Sequence, residues 1–198
     1  MGKVAIGRDG PIRKAPVAAA RRRMPLRPHN RSIEARPAPA RSSMPNASNC
    51  IVPLPKSAWS GLIPHQGAMC LLDTVVAWDD VRIHMRSGSH RDAANPLRSD
   101  GRLRALHLCE YGAQAMAVHG GLVARAGGGV AAPGLLVSLR AVELLVARID
   151  DLPGLLDVHA ERLLGGAGSW QYAFRVEHAG APLASGRAAV MLAPRPGA

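Results

Sequence analysis

Between Leu103 and Arg125 the chain runs without a proline and is apolar on almost every helical face, through Leu106, Leu108, Cys109, Ala113, Ala115, Met116, Ala117, Val118, Leu122 and Val123. A helix apolar all round is a buried helix, not a surface one. Gly112, Gly120 and Gly121 stand among its alanines, so neighbouring elements are expected to come close to its backbone. Gly127-Gly128-Gly129 ends it, as glycines at a helix C-terminus do. Any fold for this chain has to wrap something around that one helix.

The flanking segments supply the wrapping. Ser57–Leu62 reads as a short helix or turn ended by Pro64. Met69–Trp78 is an apolar run broken by Asp73 and followed by an Asp79-Asp80 turn. Val81, Ile83 and Met85 then alternate with Arg82, His84 and Arg86, the period-two pattern of a half-buried strand. Together they read as a hairpin. His90–Gly101 is loop by its Asp, Asn, Pro, Ser and Gly content. After Pro133-Gly134 only strands are expected, at Leu135–Val142, Gly154–Leu164, Ser169–Glu177 and Leu183–Leu192, with turns at Gly165–Gly168 and His178–Pro182. The order is a hairpin, one buried helix and a run of antiparallel strands, which predicts an α+β fold with a sheet curled around a single helix. One sheet covers only part of a helix, so a second protomer is expected on its other side.

The formal charge of +11 would by itself suggest a nucleic-acid partner. Its distribution argues otherwise. Residues 1–43 hold eleven basic against two acidic side chains, while the other 155 residues hold fourteen against twelve. The surplus belongs to a Pro/Ala/Arg-rich N-terminal extension (1–50) whose composition is that of a disordered segment, and 51–198 reads as one folded domain. Three readings of the extension stand open: an arm for acidic surfaces, a targeting peptide, or residues upstream of a start at Met24 or Met44. It has no apolar core of the kind a secretory signal needs. No apolar stretch reaches the ~20 residues of a membrane-spanning helix. Cys50, Cys70 and Cys109 are odd in number and share no metal-ligand spacing, which points to neither a disulfide framework nor zinc and suggests a reducing cytoplasm. Aromatics make up 3% of the chain, too few for a base-stacking domain. Nucleic acid is therefore disfavoured as a partner.

Two places combine polar groups with a demanding setting. Glu110 falls in the first turns of the apolar helix, and Gln114 lies one turn later on the same face, within reach of it. An unpaired buried carboxylate costs several kcal/mol, so Glu110 is either partnered and functional or a capping, solvent-facing group. Pro64-His65-Gln66-Gly67 forms a polar knot before the first strand, and His90 closes the second strand; either histidine is a base or a structural side chain. Phosphate loops, nucleophile elbows and HExxH are absent, and Gly127–Gly129 is not placed strand-to-helix. No cofactor is indicated.

The segments LIPHQGAMCLLD (Leu62–Asp73) and EYGAQAM (Glu110–Met116) resemble the opening segment and the central-helix start of the hotdog-fold beta-hydroxyacyl-ACP dehydratases. NPLR, DGRL and EYGAQAMA bring the likeness nearest to the dehydratase-like proteins encoded with aryl-polyene pathways. The resemblance covers about residues 57–193 and implies a hotdog fold. It implies elimination of water from a 3-hydroxyacyl thioester, with a histidine taking the C2 proton and a helix carboxyl protonating the leaving hydroxyl, the two drawn from opposite subunits of a dimer. Glu110 takes the acid role by position and Gln114 orients it. An acyl carrier protein is the implied partner, with Arg98, Arg102 and Arg104 as candidates for its phosphopantetheine phosphate. One departure matters: where the dehydratases place Gly-His-Phe-Pro, this chain has Asn95-Pro96-Leu97-Arg98 and no histidine from 91 to 106. Either His65 or His90 serves as base, or the protein is a non-catalytic acyl-binding or partner subunit. A hotdog thioesterase using Glu110 alone is the further alternative.

Overall fold

A computed structural model describes residues 53–193 except Ala167. The proposed extension over 1–50 lies outside them. A single antiparallel sheet has seven strands: β1 (Leu54–Pro55), β2 (Thr74–Trp78), β3 (Arg82–Ser87), β4 (Gly134–Leu144), β5 (Leu156–Gly165), β6 (Ser169–His178) and β7 (Ala181–Leu192). Their spatial order is β1-β2-β3-β5-β6-β7-β4, so β1 and β4 are the edges. One helix, α1 (Leu108–Ala126), packs on the sheet.

Local chemistry accounts for most of these elements. In β3, Ile83, Met85 and Ser87 are buried while the residues between them face outward, the alternation that period two demands. The β6–β7 connection is the pair Ala179-Gly180, both at positive φ (50° and 80°), which matches the right-handed twist of a two-residue hairpin. At the end of α1 the Gly127 and Gly129 amides close on the carbonyls of Val123 and Ala124. The helix lead-in is tied across the fold: Asp150 accepts the Leu103 amide at 2.9 Å, and Arg148 pairs with Asp150 and holds its carboxyl well below the usual carboxylate range.

One expectation is corrected. The apolar run Met69–Trp78 is a strand only from Thr74; Gly67–Met69 is a 3-10 turn. The reason is long-range: Gln114 of α1 accepts the Leu71 amide at 2.9 Å and donates to the Met69 carbonyl at 2.8 Å, which removes both groups from any strand ladder. Within one chain α1 is covered over most of its surface. Twelve of its nineteen residues are buried, packed by the sheet and by Leu62 of the N-terminal segment, while Glu110, Ala113 and Ala117 along one stripe stay part-exposed. What remains uncovered is β4, where Leu135, Leu136, Val137, Leu139, Val142 and Leu144 are all exposed.

The glycines of α1 are spent on close approach. A Cβ at Gly112 would lie 2.7 Å from the Phe174 ring, and one at Gly121 would lie 2.7 Å from the Leu62 Cβ. Further along, fully buried His119 donates through Nε2 to the Asp79 carbonyl (2.9 Å), which leaves Nδ1 to accept the Tyr172 hydroxyl (2.8 Å). Burial lowers the His119 pKa below its ordinary value of 6.5 and raises that of the Tyr172 hydroxyl.

Two outcomes follow from this packing. Gly112→Ala forces the Phe174 ring aside and is expected to lower unfolding free energy by about 1–3 kcal/mol, read as a drop in the urea midpoint at unchanged slope. His119 binds its proton less readily folded than unfolded, so its contribution to stability is present above pH 6.5 and is lost as pH falls below that value. The urea midpoint of the wild type should therefore drop more between pH 7.5 and 5.5 than that of His119→Gln. The largest effect one such group can have is about 1.4 kcal/mol per pH unit.

Candidate active site

Glu110 projects from the first turn of α1, and the turn leading into β2 carries His65 to meet it: His65 Nε2 lies 3.2 Å from Glu110 Oε1, with both side chains about one-third exposed. Gln114 donates to the same Oε1 at 2.9 Å. Since its amide oxygen accepts from Leu71 and its nitrogen also donates to Met69, the orientation of this fully buried amide is unambiguous. It fixes the carboxylate relative to the segment that carries His65. The other ring nitrogen, His65 Nδ1, is buried and has no hydrogen-bond partner among the described residues.

The pair stands at the wall of a cavity of about 480 Å³, within the range of small-molecule sites. Its lining is mostly aliphatic: Leu62, Met116, Leu136, Val190 and Leu192, with Ala113, Ala117 and Gly120 along the helix and Ala131–Gly134 opposite. Trp170 and Tyr172 supply its aromatic surface. A few polar groups at one place in an apolar hollow can bind a long apolar molecule and act on its polar end.

The other nominated residues stand apart from this cavity. His90 is fully buried, donates through Nε2 to the Leu152 carbonyl at 3.1 Å, and has its pKa lowered, chiefly by burial. Arg98 donates to the carbonyls of Asp92 (2.7 Å), Gly101 (2.9 Å) and His90 (3.0 Å), so its guanidinium is engaged in holding its own loop. Arg102 is exposed on that loop. The 87–95 segment is pinned further: Asn95 donates to the Tyr111 hydroxyl at 3.2 Å, and that hydroxyl lies 2.8 Å from Ser89 Oγ. His65 and Glu110 meet within one chain.

Sequence reasoning missed Trp170, Tyr172 and the Ala131–Gly134 stretch as cavity residues. Nothing local distinguishes them, although the glycines of α1 signalled that large side chains would press on it. A second hollow, of about 360 Å³, surrounds His84 and His159 elsewhere on the sheet. Those rings stack at 4.3 Å and already face carboxylates, Asp157 at 2.7 Å and Glu177 at 3.6 Å. Among the described residues no three His, Cys, Asp or Glu side chains are grouped to hold a metal ion. No helix among them is long and apolar enough to cross a membrane.

Comparison with known proteins agrees with this architecture. The dehydratase heterocomplex ApeI:P from Xenorhabdus doucetiae is similar to the chain with a TM-score of 0.62 and 23% identity, over 72% of this chain and 93% of that one. A thioesterase from Haemophilus influenzae is similar with a TM-score of 0.53 and 10% identity, over 71% and 91%. At these identities the likeness is one of fold, the hotdog. No curated protein matches the chain. A family model described as ApeP-like, ApeP dehydratase, matches residues 58–196. With that match spanning well over half of its length, and with the hotdog architecture beneath it, the chain belongs to the ApeP-like dehydratase family.

Proposed function

We propose that the protein removes water from a 3-hydroxyacyl thioester carried on an acyl carrier protein, giving a trans-2-enoyl thioester in fatty-acid or polyene-type biosynthesis. The observation that carries this reading is the His65–Glu110 contact of 3.2 Å at an apolar cavity. Elimination next to a thioester needs one group to take a proton and one to give one. His65 takes the C2 proton, and protonated Glu110 gives its proton to the C3 hydroxyl. The C3–O bond breaks, water leaves, and the C2–H electron pair becomes the new double bond. The proton then passes from His65 to Glu110 across their contact, and the pair is reset. Gln114 holds the carboxylate for both transfers. Arg102, with neighbouring Arg104, is exposed for the phosphate of the carrier's arm, while Arg98 shapes the loop that presents it. Buried free Cys70 and Cys109 suit a reducing cytoplasm.

A second reading keeps the cavity and gives the chemistry to a partner. It is favoured by Asn95-Pro96-Leu97-Arg98 standing where the dehydratases have their histidine. Either reading includes a second hotdog chain, identical or paralogous. β4 is an exposed apolar edge strand, the kind of edge that a lone protein blunts with charge and that a partner strand covers.

Two experiments test these statements. With 3-hydroxyacyl carrier protein and mass spectrometry for loss of water, Glu110→Gln and His65→Ala are each expected to slow turnover by about 10²–10⁴-fold, whereas His90→Ala is not expected to act on the chemistry. Full activity in both variants would sink the mechanism, and release of free acid would identify a thioesterase. Val137→Lys places a charge on the exposed edge. It is expected to weaken assembly at least tenfold in analytical ultracentrifugation, and an unchanged sedimentation profile would exclude β4 as the contact.

A further inference from the structure

Trp170 lines the cavity beside Glu110 at the level of Gly120, ten residues further along α1. The helix residues facing it, Glu110, Ala113, Ala117 and Gly120, follow one stripe, which at about 1.5 Å per residue is roughly 15 Å long. At its far end the Trp170 ring lies against the helix backbone, and a Cβ at Gly120 would sit 2.6 Å from Cζ3. Trp170 also walls a separate, open groove formed by Arg162–Gly166. Among the described residues it alone lines both spaces. The indole thus stands between this cavity and the outer groove.

Three contacts hold the indole in place. The Arg162 guanidinium lies 5.6 Å from the ring centroid, within cation–π range. Tyr172 meets the indole edge-on at 6.3 Å and 63°, and Tyr172 is itself fixed through His119. Gly120 provides the flat seat. A side chain of this size, clamped on several sides, does not yield readily to a ligand pressing along the helix.

We propose that Trp170 is the chain stop of this site: its indole sets the greatest length of apolar acyl chain that the cavity admits. The inference rests on the acyl-thioester reading above and names the determinant of substrate length within it. A fully extended chain advances about 1.2 Å per bond, taking three backbone bonds to ~3.3–3.6 Å. The stripe from Glu110 to Gly120 therefore holds about a dozen bonds beyond the reacting carbons. Each methylene buried short of the stop strengthens binding by about fourfold; beyond it a longer chain must fold back or stay in water. Replacing the indole by a small side chain joins the cavity to the outer groove and removes the limit.

The test uses the full chain and saturated acyl-pantetheines, from about six to about eighteen carbons, titrated by calorimetry. In the wild type, affinity should rise by about fourfold per methylene and then break near the length at which the chain reaches Trp170. In Trp170→Ala the rise should continue several carbons further. Trp170→Leu, which keeps an apolar floor of shorter reach, should move the break by less, and it secures the test should the alanine variant fail to fold. A break at the same length in the wild type and in a folded variant overturns the proposal. So does an equal loss at every length, which would mark Trp170 as purely structural. Dehydration of the same acyl chains on carrier protein is measured alongside. A break that moves with Trp170, without turnover, leaves the chain stop standing and defeats the dehydratase reading. Binding of none of the series defeats both.

Discussion

The close approach of α1 to its surroundings is the constraint from which the rest of the structure follows. Gly112, Gly120 and Gly121 let Phe174, Trp170 and Leu62 reach the helix backbone at distances that a single Cβ would forbid. Protein interiors are packed as densely as organic crystals, so such contacts are not negotiable by small shifts. They set the depth at which the helix lies in the sheet. That depth decides which helical positions are filled by neighbours and which are left beside open space. Ala113 and Ala117, part-exposed and small, border the cavity that remains.

Within that frame Gln114 is the polar counterpart. A buried side-chain amide with unmet hydrogen bonds would cost about 1–3 kcal/mol, and this one meets its demands with the Leu71 amide, the Met69 carbonyl and Glu110. The same three bonds serve packing and chemistry at once. They stop the Met69–Asp73 segment from pairing as a strand, and they hold the turn bearing His65 near the carboxylate. The dyad is thus a consequence of how the core satisfies its one central amide.

Charge is distributed to match. The described body is close to neutral, and its ion pairs serve structure: Asp150 with Arg148 at the helix lead-in, and Asp157 with Arg86 and His84 on the sheet. The basic surplus lies in residues 1–43, outside the described structure. What the fold leaves unpaired on its surface is the apolar edge β4, which is why assembly with another hotdog chain belongs to the functional reading.

Much of the architecture was legible in the sequence alone, because it is written in short-range terms. The buried helix, its glycine terminus, the alternation of β3, the later strands and the Ala179-Gly180 turn all follow from periodicity and backbone preference over a few residues. Glu110 and Gln114 were legible as a pair because one helical turn separates them. Which of His65 and His90 stands beside Glu110 was not, since it depends on which ring is carried to a residue 45 positions away and which is sealed against Leu152. The false start of β2 had the same origin, in bonds spanning more than 40 residues. Trp170 and Tyr172 give no local sign of a cavity, and the exposure of β4 is a matter of strand order. Local preferences act over one or two turns of chain, whereas contact between distant segments is decided only when the whole core closes.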